Sequence, residues 1–198
     1  DTGYVGHSEQ TLLLVRHALN GRQLTRIINT HLHSDHCGGN ALLKKTLGAA
    51  VLIPPGHAEA VGRWDDAALG YSACGQACDR FMHDALIQPG ERLMLAGDEW
   101  LAFASPGHDP HSIVLWNSHD RTVISADALW QHGFGAIFPE VEGQSGFAEQ
   151  RAILQLIREL RPHLVIPRHG APFTDGNPAL ARAFARLDAL EASPVRNA

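Results

Sequence analysis

Between His31 and His36 the chain sets three imidazoles and one carboxylate within six positions, in the run Thr30-His31-Leu32-His33-Ser34-Asp35-His36-Cys37-Gly38-Gly39. The residues just before it, 25–29, read as a short strand, so the ligand-rich run begins where a strand ends. While the chain is still extended, alternation puts His31 and His33 on the same side. A turn after them lets Asp35 and His36 face a neighbouring site. The glycine pair permits close backbone passage and a new helix start. Exposed loops rarely concentrate side chains at H-x-H-x-D-H spacing, so the run reads as a set of metal ligands. The chain as a whole is rich in the same chemistry, with 13 His among 198 residues.

What surrounds the motif points to an α/β layered domain. Residues 8–21 read as a helix that Ser8 caps and Gly21 ends. Helical patterns follow at 39–47, 147–160 and 178–190, the second of them the most clearly amphipathic. Strand-like runs lie at 50–53, 92–96, 100–104, 113–116, 122–125 and 163–166. Residues 117–121 carry turn chemistry, so the strands on either side form a hairpin. The stretch 57–86 is less regular and reads as helical turns in an insertion beside the active site, within a single domain of 1–198. Residues 193–198 read as a loose tail.

Composition narrows the functional classes. The formal net charge of -5, from 16 Lys+Arg and 21 Asp+Glu, speaks against nucleic-acid binding. No run approaches the roughly 20 apolar residues of a membrane span. Neither part of a signal peptide occurs at the start, and three cysteines are too few for a disulfide framework, so the expected location is cytoplasmic. Three further ligand candidates each follow a strand-like run: His108 after 100–104, Asp127 after 122–125 and His169 after 163–166. In a layered α/β fold, loops at one end of a sheet converge on a common cleft.

These residues carry a resemblance. Asp1-Thr2-Gly3, His31-x-His33-x-Asp35-His36, Pro106-Gly107-His108, Ser125-Ala126-Asp127 and Pro167-Arg168-His169-Gly170 occur in the order of the metallo-β-lactamase-fold hydrolases, and the sequence is most similar to their glyoxalase II-like branch. The resemblance implies a four-layer αββα sandwich, here without some of the family's strands before Asp1. It implies one metal on His31, His33 and His108, a second on Asp35, His36 and His169, and Asp127 bridging both. The metals would be two divalent ions, zinc by ligand chemistry, with iron or manganese also accepted. A bridging hydroxide would then attack a small-molecule ester, thioester or lactone, with Asp127 and Asp35 as the catalytic carboxylates. A mononuclear iron enzyme similar to persulfide dioxygenases and a phosphodiesterase are the alternatives.

Other positions have an open reading. The family's usual Gly before its last His is Arg168 here, a cation suited to an anionic substrate or a solvent-facing side chain. His111, Trp130 and Phe134 are candidates for substrate contact, with a surface imidazole and plain core as the competing readings. Cys37 reads as a small buried hydrophobe. Cys74 and Cys78, four apart with His83 nearby, leave a second metal or redox site open. The expected partner is a small-molecule substrate, and the assembly is open to a homodimer.

Overall fold

The computed structural model describes residues 1–192; the tail expected at 193–198 lies outside the described residues. The chain divides into two compact units, Asp1–Gln88 and a second that begins at Pro89. Each has its own sheet, which establishes the mixed α/β class.

In the first unit the elements run α1 (Ser8–Leu19), β1 (Arg26–Ile28), α2 (Ser34–Cys37), α3 (Asn40–Leu47), β2 (Ala50–Ile53), α4 (Ala58–Arg63), α5 (Asp66–Leu69) and β3 (Ala85–Leu86). The three strands are parallel in the order β1-β2-β3, with Ile27 opposite Val51 and Leu52 opposite Ala85. Parallel neighbours need a crossover, and α2 with α3 supplies it between β1 and β2. Ile27, Leu43, Val51, Ile53, Val61 and Phe81 lie in the core beneath. Helix α1 departs from expectation at both ends. Ser8 is its first residue rather than its cap, and His7 holds the cap position without a side-chain hydrogen bond. At the other end Asn20, not Gly21, takes the left-handed cap at φ 46°, a conformation asparagine tolerates better than most residues. The irregular stretch resolves into α4 and α5. Asp65 accepts from the Ala68 N–H to start α5, and Gly70 at φ 74° ends it.

The second unit holds β4 (Arg92–Leu95), β5 (Asp98–Ala104), β6 (Ile113–Asn117), β7 (Thr122–Ala126), α6 (Phe138–Val141), α7 (Phe147–Leu160), β8 (Leu164–Pro167), β9 (Phe173–Thr174) and α8 (Gly176–Ala192). Strands β4 to β7 form an antiparallel meander, β8 joins parallel to β7, and β9 closes the sheet antiparallel. The β6–β7 hairpin forms as its turn chemistry predicts: the Asn117 carboxamide oxygen accepts from the His119 and Asp120 N–H groups at 2.8 and 3.1 Å. Helix α7 buries Gln150, Ile153, Leu154 and Ile157, the i, i+3, i+4, i+7 stripe of a core-facing helix. Leu154 and Ile157 share one core with Leu180, Ala183 and Leu187 of α8 and with Val123 and Val165 of the sheet. No helix among the described residues is long and apolar enough to cross a membrane.

Candidate metal centre

In the first unit the ligand run leaves the end of β1 through buried Asn29 and Thr30. A chain of buried side-chain hydrogen bonds fixes it. Asn29 Nδ2 donates to the His36 carbonyl at 3.0 Å, Asn40 Nδ2 donates to Asn29 Oδ1 at 2.7 Å, and Thr2 Oγ1 donates to Asn40 Oδ1 at 2.8 Å. The glycine pair works as expected, by close approach. A β-carbon on Gly38 would lie 2.3 Å from the Val5 nitrogen, and one on Gly39 2.5 Å from the Thr2 carbonyl oxygen. On this frame His31 Nε2 lies 3.0 Å from His33 Nδ1. Buried His36 sets Nδ1 2.9 Å from Asp1 Oδ2 and Nε2 3.6 Å from Asp35 Oδ2. The Asp1 carboxylate is itself oriented by the Thr30 N–H at 2.8 Å and the Thr30 hydroxyl at 2.9 Å.

The second unit brings the other three expected ligands together. Strand β7 shifts register between Ile124 and Ala126. Ala126 then takes φ 47°, a left-handed conformation that costs roughly 1–2 kcal/mol in a residue with a β-carbon. The next side chain is Asp127, buried, with Oδ2 3.3 Å from His108 Nε2 and Oδ1 3.8 Å from His169 Nε2. The Trp130 indole N–H donates to Asp127 Oδ1 at 3.0 Å, and its ring meets that of His169 edge-on at 4.9 Å. His108 Nδ1 lies 2.5 Å from the Ala136 carbonyl oxygen.

Tautomers follow from these partners. A carbonyl oxygen and a carboxylate only accept, so Nδ1 of His108 and Nδ1 of His36 carry the proton. With a cation between Nε2 and the Asp127 or Asp35 carboxylate that it faces, each ring would be neutral and would offer its Nε2 lone pair. This is how histidines are prepared for a metal, with the second nitrogen anchored by an oxygen acceptor. Donor atoms around a tetrahedral ion with bonds of about 2.0–2.1 Å lie about 3.3 Å apart. The separations of 3.0 and 3.6 Å in the first unit and 3.3 and 3.8 Å in the second bracket that spacing. In each unit imidazoles stand beside a carboxylate, donor types that suit zinc, and equally iron or manganese.

The remaining candidates fall in different surroundings. His111 is exposed and its N–H bonds the Asp109 carboxylate at 2.7 Å. Arg168 is half-buried, and its backbone N–H donates to the Ala126 carbonyl at 3.1 Å, tying β8 to the residue before Asp127. Trp130 sits against Asp127 and His169, as above. Phe134 has no exposed surface and packs in the core with the Arg186 guanidinium 4.5 Å from its ring centre. Cys37 is fully buried, as expected, and burial pushes its thiol up.

Three supporting residues escaped the sequence reading. Gly135 leaves room for the His108 ring: a β-carbon there would lie 2.4 Å from His108 Nδ1 and 3.0 Å from the Asp127 β-carbon. Ala136 contributes only its carbonyl. Buried Gln150 on α7 donates from Nε2 to the Ala128 carbonyl at 2.9 Å and packs on Gly107, so it touches the neighbours of Asp127 and of His108 at once. The paired glycines at 133 and 135 were the one legible signal.

Residues 1–169 match the sequence model of the family described as Metallo-beta-lactamase superfamily. A hydroxyacylglutathione hydrolase of Methylococcus capsulatus is 27% identical over 86% of this chain and 61% of its own length. One from Bradyrhizobium sp. is 31% identical over 60% of this chain and 39% of its own length. The chain therefore spans less than two thirds of the length of these relatives. Among solved structures, a metallo-beta-lactamase family protein from Thermus thermophilus superposes with a TM-score of 0.75 at 20% identity, over 97% of this chain and 71% of that one. A metallo-beta-lactamase from Cronobacter sakazakii gives 0.73 at 22% identity, over 99% and 82%.

Proposed function

Because this chain belongs to the metallo-β-lactamase superfamily, we propose that it is a metal-dependent hydrolase of small-molecule esters, thioesters or lactones. The observation that carries the reading is Asp127, a buried carboxylate with one oxygen facing His108 and the other facing His169. A carboxylate that presents its two oxygens to two imidazoles is arranged to join two ligand sets. On this reading, which follows the family's motif order, His31, His33 and His108 would hold one divalent ion, Asp35, His36 and His169 would hold another, and Asp127 would serve both. Two such ions, when bound, supply an acidified water and a Lewis acid for a carbonyl.

The rest of the chemistry belongs to the chain's own residues. Trp130 holds Asp127 by its indole N–H, so the carboxylate keeps one orientation. Asp1 and Ala136 keep His36 and His108 in the tautomer that offers Nε2. Asp35 is only partly buried, and its second role is to orient a water or to pass a proton to the leaving group. Arg168 and His111 are the groups proposed to meet an anionic or polar part of the substrate. The relatives named hydroxyacylglutathione hydrolases favour a thioester as the first substrate class to assay.

Elemental analysis of protein purified without chelator, followed by an ester, thioester and lactone screen, tests the proposal. About two zinc or manganese ions per chain with thioester turnover is the expected result. About one iron per chain with oxygen uptake on a persulfide would move the protein to the dioxygenase class. An Asp127→Ala variant that kept both its metal and its activity would overturn the assignment of the bridge.

A further inference from the structure

Directly behind the ligand run lies a thiol cluster that the hydrolytic chemistry does not use. Cys37 closes α2, the short helix that carries Asp35 and His36. Its sulfur is 3.7 Å from that of Cys78 and 3.2 Å from the Tyr71 hydroxyl, and it also lies 3.3 Å from the His33 carbonyl oxygen. Tyr71 donates to the Leu32 carbonyl at 2.9 Å, and Ser34 hydrogen-bonds Gln76. The segment 71–78 is thus fastened to the ligand run at three places. Cys78 is half-buried and its flanks are exposed, whereas Cys37 has no exposed surface. Sequence spacing points to Cys74 as the partner of Cys78, but Cys74 is exposed and the stretch between the two is not helical.

We propose that Cys37 and Cys78 form a reversible disulfide that loosens the metal ligands of the first unit. The metal part of this inference rests on the function proposed above; the disulfide itself does not. A disulfide needs its sulfurs about 2.05 Å apart, so the pair must close by well over an ångström. Cys78 can supply part of that movement, because it lies in an irregular segment with exposed neighbours on both sides. The remainder falls on Cys37, whose sulfur leaves the carbonyl of His33 and draws on the helix that carries His36. Support around ligands is worth about 10–100-fold in metal affinity, which sets the scale expected here.

The oxidant class is a peroxide. Cys78 is the first nucleophile: it is accessible, and the hydrogen bond from Cys37 holds its thiol below the ordinary value. Its thiolate attacks one peroxide oxygen, the O–O bond breaks, and the hydroxide that leaves takes up a proton as water. The Cys37 sulfur then attacks the resulting sulfenic sulfur. The S–O bond breaks, and the displaced hydroxide leaves as water with the Cys37 proton. Two thiols and one hydrogen peroxide give one disulfide and two waters, so the sulfurs lose the two electrons that the peroxide gains.

The test treats the purified full chain with hydrogen peroxide, with and without later dithiothreitol, and reads both the peptide map and metal retention against a chelator. Trypsin places Cys37 in peptide 27–44 and both Cys74 and Cys78 in peptide 64–80. The expected result is a cross-link between these two peptides that forms in wild type and in Cys74→Ser, is absent in Cys78→Ser, and reverses with dithiothreitol. Metal retention is expected to fall at least about 10-fold on oxidation and to be unmoved by peroxide in Cys78→Ser. No cross-link in wild type, or one that survives in Cys78→Ser, overturns the pair. A cross-link with unchanged metal retention overturns the coupling. A protein that cross-links yet binds no metal in either state supports the disulfide and overturns the hydrolase reading instead.

Discussion

At the scale of single residues, two side chains show how differently a polar contact counts with its surroundings. Trp130 spends its indole N–H on Asp127 and its ring edge on His169, so Trp130→Phe keeps an aromatic ring and removes the hydrogen bond. Metal affinity is expected to fall on the order of 10-fold by chelator competition, with thermal unfolding of the chelated protein little changed. Asp84 is a surface counterpart. A hydrogen bond from Lys44, then one from the Val51 N–H, holds its carboxyl below the ordinary carboxylate value. A carboxyl lowered on folding contributes stability above its unfolded value of about 3.9, and that contribution is lost as pH falls through the folded value. The side chain is 43% exposed, so the effect belongs to the range of about 0.2–1 kcal/mol seen for exposed pairs. Asp84→Asn is therefore expected to be slightly less stable than wild type at pH 7 and to match it near pH 2 in denaturant titrations.

At the scale of elements, α7 connects core packing with the ligand loops of its unit. Leu154→Ala removes a fully buried side chain and is expected to cost about 2–5 kcal/mol in equilibrium unfolding. Gly107→Ala acts from the other side of the contact. Its β-carbon would lie 2.6 Å from the α-carbon of Gln150, so backbone must move, at about 1–3 kcal/mol, and the displaced loop carries His108. Arg151 reaches Asp188 and Glu191 on α8 at 2.7 Å each, yet Arg151→Ala is expected to cost under about 1 kcal/mol, because the acids are exposed. The same helix shows what could be read in advance. Its bounds, and those of β2, match the pattern because apolar spacing over 14 and 4 residues is unbroken. Strands β3 and β9 have two residues each, too few for a period to emerge. Strand β5 begins at Asp98-Glu99, charged residues that pairing with β4 overrides. All seven residues proposed as ligands were legible as candidates because ligand types gather after strands. What orients them was not: the Ala136 carbonyl has no side-chain signature, and the Cys37–Cys78 contact joins residues 41 apart.

For the molecule as a whole, an ion that binds only the folded state must raise its stability. At a free concentration 100 times the dissociation constant the gain is about 2.7 kcal/mol, which in a chain of this size is roughly 5–10 °C of melting temperature. Zinc addition followed by chelator is expected to raise and then lower the midpoint of a thermal scan by that amount, and a midpoint indifferent to both would count against a metal in the fold. A different clock runs along the second sheet. Every residue of β6 is buried and β7 is nearly so, with hydrogen-bonded strands on either flank. Amides that sheltered exchange with deuterated solvent only when the structure around them opens, whereas the exposed two-residue β3 has no such shelter. Asp127 follows β7 without a gap, so the carboxylate proposed to join two ions hangs from amides expected to be among the last to take up deuterium.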